Sequence, residues 1–391
     1  MKTLINITLA IIVIVLVVIW LVAEPPLSSP LGDGFFSSSL PTENQTVVYG
    51  FLPYWNLDEA TIQPELTHLA YFALGIEADG TITTQLDSGG TEPGYYQLQS
   101  TELLSLFEEA RQNRTQAHVV LSQFDNDQIT EFLTSPAAQE TFLQSIDSLL
   151  LAYPFNGLNL DIEYLGDAPP EVRQAYTAFI KKVRSHLDQK YQNVTLTVDV
   201  YAAAATKNLL WEVAEIAPLV DYLIIMAYDF HRSSSPTAGP VAPLLQKEAG
   251  WGESINGYLQ DFAQQAPTEK LLLGIPFYGY EWQTTSLEPA SFTFPRTGAT
   301  ASYKRVKELL AQQAELGIEE HWDESALAPY LSYEKDGDYY LVYYENPLSI
   351  SYKLEYARQL DLAGIAIWSL GYEGNSRDLW DSIGQALEIE N

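Results

Sequence analysis

The run Asn156-Gly157-Leu158-Asn159-Leu160-Asp161-Ile162-Glu163-Tyr164 sets one amide and two carboxyls at alternate positions. In a strand, successive side chains point to opposite faces. Leu158, Leu160 and Ile162 therefore share one face, and Asn159, Asp161 and Glu163 share the other. Carboxyls two residues apart on one face lie about 7 Å apart along the chain, within side-chain reach. Like charges that close do not both ionise easily, so their titrations couple and one pKa rises. A carboxyl still protonated near neutral pH is what general-acid chemistry needs, and Glu163, the last of the row, is the candidate acid. The plainer alternative is a solvated strand end. Polar groups facing inward from a central strand are costly unless paired or functional, which favours the chemical reading.

Such a row needs a frame with an inward face. Short apolar runs recur from Thr46 onward: Val47 to Leu52, Thr67 to Leu74, Ala117 to Leu121, Gly157 to Ile162, Val194 to Val200, Tyr222 to Met226, Leu271 to Ile275 and Gly364 to Trp368. Amphipathic helical patterns lie between many of them, such as Thr101 to Gln112 and Glu171 to Lys190. Strand followed by helix, repeated eight times, predicts an α/β fold of the (β/α)8 TIM-barrel type. An open doubly wound sheet gives a similar pattern, but no glycine-rich phosphate loop follows any strand. In a barrel, Glu163 emerges at the C-terminal mouth of strand 4, where barrel active sites sit. The interval between strands 7 and 8 is too long for one helix. Its run Tyr339 to Tyr344 reads as a further strand, and Asp336-Gly337 before it is a hairpin signal. This predicts a small α+β insertion at about 281–345.

The acidic stretch resembles the signature of glycoside hydrolase family 18, the chitinase-like family, which reads Asp-Gly-x-Asp-x-Asp-x-Glu on the fourth barrel strand. Asp161 and Glu163 match its last two acids, and Asn156 and Asn159 stand at its first two. Met226-Ala227-Tyr228-Asp229 is similar to the family's sixth-strand motif, Gly274-Ile275-Pro276-Phe277-Tyr278-Gly279 to its seventh, Ile367-Trp368-Ser369-Leu370 to its eighth, and Gly50-Phe51-Leu52-Pro53-Tyr54-Trp55 to its first. The resemblance covers most of residues 46–385. Two departures lie outside that signature: Ser122-Gln123-Phe124-Asp125 replaces Ser-x-Gly-Gly at the end of strand 3, and Tyr280 replaces an Arg.

The resemblance implies retaining hydrolysis of β-1,4-linked, N-acetylglucosamine-containing glycans, chitin-like polymers among them, in which the sugar's own acetamido group is the nucleophile. It implies that Glu163 protonates the glycosidic oxygen and later activates water. Asp161 then holds the acetamido N–H, and Tyr228 aims the acetamido carbonyl. Asp229 assists at the rim, Trp368 floors the site, and Asn159, Tyr54, Tyr278 and Trp282 join the substrate-binding set. No cofactor or metal is required, and the five His show no ligand spacing. Peptidoglycan and N-linked glycans are the alternative substrates within the family. A catalytically silent sugar-binding protein is the alternative of another class, and retention of Glu163, Asp161 and Tyr228 argues against it.

Composition narrows the partners. The 25 Tyr, 15 Phe and 8 Trp fit a cleft that stacks on sugar faces, although most of them fill the core. A net charge of −31 repels phosphate backbones, which argues against nucleic acid, and leaves a neutral polymer unpenalised. The chain has no Cys, so disulfides and thiolate metal sites are excluded. Lys2 precedes an apolar stretch to Ala23, wholly non-polar from Leu9, which is long enough to cross a bilayer. Large Leu21 at the candidate cleavage site favours an uncleaved signal-anchor over a signal peptide. The expected organisation is a membrane segment at 1–23, a Pro- and Ser-rich linker at 24–45 and a catalytic barrel at 46–391. The body is then secreted or held at the extracellular side of the membrane. Asn44, Asn113 and Asn193 each begin an Asn-x-Thr triplet.

Overall fold

The computed structural model describes residues 46–245 and 253–388. The expected membrane segment, the linker and Asn44 lie outside the described residues. Among the described residues, no helix is long and apolar enough to cross a membrane.

The apolar runs form parallel strands β1 (Val47–Pro53), β2 (His68–Gly75), β3 (Gln116–Gln123), β4 (Gly157–Ile162), β5 (Thr195–Tyr201), β6 (Tyr222–Met226) and β7 (Leu271–Pro276). Five further strands, β8 to β12, lie in an inserted sheet. β13 (Gly364–Trp368) then closes the barrel in the order β1-β13-β7-β6-β5-β4-β3-β2. All eight expected runs are barrel strands. The expected helix Thr101–Gln112 is present, and the next begins one residue early, at Pro170, where proline suits a first turn.

The alternation read in β4 sorts two layers of packing. Leu158, Leu160 and Ile162 join the continuous core between strands and helices, to which Val172, Phe179, Ile180 and Val183 of helix Pro170–Lys190 also belong. Each such fully buried side chain contributes about 1.5–3 kcal/mol. The inward face is mixed. Tyr49, Phe51, Ala70, Val120, Ile224, Leu272 and Ala366 fill the barrel as a second apolar cluster. His68, His118, Asn159, Asp161, Thr197 and Asp199 are buried with them. Those polar groups are largely bonded to one another: Tyr49 Oη meets His118 Nδ1 at 3.1 Å and Thr197 Oγ1 at 3.4 Å.

The insertion comprises β8 (Tyr278–Thr284), β9 (Ala299–Ser302), helix Tyr303–Ala311, β10 (Glu319–Asp323), β11 (Ala328–Lys335) and β12 (Asp338–Tyr343). Its antiparallel sheet has the order β10-β11-β12-β8-β9. The strand expected at Tyr339 to Tyr344 is β12. Asp336 (φ 56°) and Gly337 (φ 85°) turn β11 into it with two positive φ values, as a two-residue hairpin of type I′ requires. The insertion starts at Tyr278, three residues before the expected 281, because β8 follows β7 after the single residue Phe277.

Candidate active site

A cavity of about 230 Å³ opens at the C-terminal mouth of the barrel. It is lined by Phe51, Phe72, Asp161, Glu163, Asp199, Tyr201, Met226, Tyr228, Asp229, Arg232, Tyr278 and Trp368. Six of the eight barrel strands, all but β3 and β7, supply a lining side chain, and Tyr278 at the start of β8 adds one from the inserted sheet. Six of the residues singled out in the sequence meet here: Asp161, Glu163, Tyr228, Asp229, Tyr278 and Trp368.

Glu163 follows the last residue of β4, and its backbone N–H donates to Gln123 O at 2.9 Å, which continues the β3–β4 pairing to the acid. Burial pushes its carboxyl above the usual range, and the charge of Asp229 adds to this. The hydrogen bond from Tyr201 and the Arg232 guanidinium oppose it. Asp161, 3% exposed, is held well above the ordinary value by burial, then by the charges of Glu163 and Asp199. Tyr228 also titrates well above its ordinary value, through burial and then the surrounding carboxyls, so its hydroxyl keeps the proton and remains a donor. Its ring fits because Gly274 lies opposite: a Cβ there would stand 2.4 Å from Ile225 O and 3.1 Å from Tyr228 Cε1.

Asp229 adopts a left-handed backbone, φ 61°, which Asp tolerates better than most residues. Its Oδ1 accepts from Tyr278 Oη at 2.5 Å and Tyr280 Oη at 2.9 Å. Arg232 Nε lies 3.6 Å from Oδ2. Trp368 stands edge-to-face with Phe72, centroids 4.6 Å apart, and lies 5.8 Å from Phe51, which gives the cavity an aromatic floor.

Three expected substrate contacts lie elsewhere. Asn159 is fully buried one layer below the cavity, where its Nδ2 donates to Thr197 Oγ1 and to Asp199 Oδ1, both at 2.9 Å. It faces inward as expected, but Asp161 stands between it and the opening. Trp282 is fully buried within the insertion and donates Nε1 to Arg232 O at 3.1 Å. It supports the loop that carries Arg232, and its ring does not face the cavity. Tyr54 lines a separate open depression beside Trp55, Tyr95 and Tyr96.

Sequence reasoning missed Asp199, Tyr201, Arg232 and Phe72, and gave no site role to Met226 and Phe51, although both stand in the motifs quoted for the sixth and first strands. Thr197, Asp199 and Tyr201 repeat on β5 the alternation used for β4, so that signal was present. Arg232 sits in a loop without periodicity and offered none. Among the described residues no cluster of His, Asp and Glu is arranged to hold a metal ion.

Fold and site together define a (β/α)8 barrel with an acid–base centre at its C-terminal mouth. The chain belongs to the glycosyl hydrolases family 18, whose family model matches residues 36–373. It is 26% identical over 321 residues to the cortical fragment-lytic enzyme of Bacillus anthracis, covering 79% of this chain and 66% of that protein. It is 28% identical over 262 residues to mouse chitotriosidase-1, covering 63% and 56%. The matched chain thus spans under two thirds of either relative. A solved structure of the Ostrinia furnacalis group IV chitinase superposes with a TM-score of 0.75 at 24% identity, covering 88% of this chain and all of that one, and so shares its fold.

Proposed function

We propose that the chain hydrolyses β-1,4-linked glycans containing N-acetylglucosamine, chitin-like polymers foremost, with retention and with the substrate's acetamido group as nucleophile. The observation that carries this reading is the convergence of Glu163, Asp161 and Tyr228 on one cavity floored by Trp368.

Glu163, whose carboxyl holds its proton above the ordinary range, donates it to the glycosidic oxygen. As that C–O bond breaks, the acetamido carbonyl oxygen bonds to the anomeric carbon and forms a cyclic oxazolinium. The Tyr228 hydroxyl donates to that carbonyl oxygen and fixes its approach. Asp161 accepts the acetamido N–H and stabilises the cation. Glu163, now ionised, takes a proton from water, whose oxygen attacks the anomeric carbon from the face the leaving group vacated while the bond to the acetamido oxygen breaks and the neutral acetamide is restored. The product keeps its configuration, and Glu163 regains its proton. Trp368, Phe72 and Phe51 offer apolar faces to the sugar ring. Beyond the cavity, Trp55 is 51% exposed and lies 6.0 Å from Phe72, which extends an aromatic path for further sugar units.

The test is the product profile from a reducing-end-labelled N-acetylglucosamine oligomer, with anomeric configuration read by NMR. Release of β-anomeric oligomers supports the mechanism. Binding without release, or α products, would sink it.

A second reading takes bacterial cell-wall glycan as the substrate. It is favoured by similarity to a cortical fragment-lytic enzyme over 79% of this chain. The net charge of −31 weighs against binding an acidic wall polymer. Rates on chitin oligomers, peptidoglycan and glycoprotein separate the two, and pull-down on insoluble chitin tests chitin binding directly.

The same proposal sets the barrel outside the membrane, on an uncleaved apolar segment at 1–23 and a Pro- and Ser-rich linker at 24–45. It predicts that the full chain stays in the membrane fraction after alkaline carbonate washing and is cut by protease added to intact cells. Recovery of a chain trimmed near residue 23 from the medium indicates a cleaved signal peptide instead.

A further inference from the structure

Asp199 is a buried carboxyl that the mechanism above does not use. β4 and β5 are parallel, with Asn159 beside Thr197 and Leu160 beside Val198. One more step of the same register sets Asp161 beside Asp199, and a third sets Glu163 beside Tyr201, whose hydroxyl bonds to Glu163. Neighbouring strands run about 4.8 Å apart, so the inward Asp161 and Asp199 carboxyls stand shoulder to shoulder. They are 3% and 2% exposed.

The hydrogen bonds around them are uneven. Asp199 Oδ1 accepts from Asn159 Nδ2 at 2.9 Å. Asn159 spends its other N–H on Thr197, and its Oδ1 is a buried acceptor without a donor. Asp161 Oδ1 is likewise buried without a partner. Buried acceptors left unpaired are expensive, and two carboxylates abreast in such a place are more so. One proton held between the carboxyls relieves both costs.

We propose that Asp199 is a positioning residue for Asp161: the two carboxyls share one proton across the β4–β5 pair, and Asp199 thereby sets the charge that Asp161 presents to the site. Asn159 completes the device. An amide cannot take up the proton, so it holds Asp199 in place and leaves the exchange to the two acids. Burial raises both groups well above the ordinary value; the charges of Glu163 and Asp199 add to this at Asp161, while at Asp199 the Asn159 hydrogen bond opposes it and the charge of Glu163 adds to it. The charged and titratable groups that face the pair are Glu163 from β4, Tyr201 from β5, Tyr228 after β6, Tyr49 from β1 and Tyr176 from helix Pro170–Lys190. The pairing stands on geometry alone, and its role in turnover rests on the hydrolase reading.

The experiment follows Asp161 by carboxyl 13C NMR through a pH titration of the whole protein, alongside kcat and KM on an N-acetylglucosamine oligomer. Asp199→Asn keeps shape and an acceptor for Asn159 but removes the second acid. It is expected to move the Asp161 titration down towards the ordinary carboxylate range and to cost roughly tenfold or more in kcat with KM held. The double variant Asn159→Asp/Asp199→Asn returns a carboxyl to the other neighbour of Asp161 and is expected to restore the high titration. An Asp161 titration unmoved by Asp199→Asn, or a double variant that fails to restore it, overturns the proposal. If the wild type shows the coupled titration but cuts no oligomer, the hydrolase reading falls and the pair stands.

Discussion

Tyr280, on the inserted sheet, donates its hydroxyl to Asp229 Oδ1 at 2.9 Å, so a group from outside the barrel fixes a carboxylate on the barrel's rim. A hydrogen bond to a charged group is worth about 1.5–3 kcal/mol. Tyr280→Phe is expected to lower kcat/KM on an oligomer by about tenfold, because Tyr278 still holds the same oxygen. Unaltered kinetics would show that Asp229 needs only one of its two phenols.

Glu163→Gln is expected to fold normally and to lose roughly a hundredfold or more in kcat, the usual scale for a general acid. Tyr228→Phe removes one preorganised donor and is expected to cost about 100- to 1,000-fold. A β-1,4-glucan without acetamido groups is expected to remain uncut. Equal rates on glucan and on N-acetylglucosamine oligomers would exclude the acetamido group as nucleophile.

His68 is buried inside the barrel, and burial lowers its pKa from 6.5 to about 4. Burial, then the neighbouring His68, lowers His118 as well. Above pH 6.5 these imidazoles are neutral both folded and unfolded, and their contribution to stability is complete. As pH falls from 6.5 towards 4 the unfolded chain binds protons that the folded chain refuses, so stability is lost by up to about 1.4 kcal/mol per pH unit for each group. The raised carboxyls act in the opposite sense, stabilising the fold at low pH and less as pH rises through their folded values. The decisive quantity is therefore the urea stability of wild type minus that of His68→Gln. It is expected to shrink on going from pH 7 to pH 5, and a constant difference would contradict the burial argument.

Lys353 and Glu345 form an ion pair at 2.7 Å with both side chains fully buried, and Ser349 Oγ adds a bond at 2.6 Å. Burial raises the Glu345 pKa, and Lys353 opposes that. Lys353→Met is expected to cost about 3–5 kcal/mol, because it strands a buried acid. Replacing both partners, as Glu345→Leu/Lys353→Met, is expected to recover most of the loss in urea denaturation. A double variant as unstable as the single one would mean that the pair contributes more than mutual neutralisation.

The barrel was legible because parallel strands buried on both faces are short apolar runs, and all eight occur in the sequence. The acid row was legible because β4 alternates cleanly between Leu158-Leu160-Ile162 and Asn159-Asp161-Glu163. Depth was not legible. Period two says which face a residue takes but not how far up the barrel it sits, and so Asn159 belongs to the layer under the cavity. Trp282 shares a face of β8 with Tyr278 and Tyr280, which hold Asp229, but the insertion folds over it. Asp199 and Tyr201 carried the same alternation as β4. Their partnership with Asp161 and Glu163 depends on a cross-strand register that no local pattern encodes. Arg232 reaches the site from a loop, where spacing carries no direction.

Strands β8 and β12 leave the barrel and return to it side by side, with Tyr280 opposite Tyr343 and Thr284 opposite Tyr339. Everything beyond that last pair is a detour whose two ends already touch. Lengthening, trimming or exchanging it costs chain-closure entropy that grows only slowly with length, and leaves the register of β7 and β13 untouched. The acids sit on the part of the molecule that tolerates least change, and Tyr278, which the insertion adds to their chamber, precedes Thr284 and so lies outside the detour. The detour can change in length while the acids, and the two phenols that hold Asp229, stay as they are.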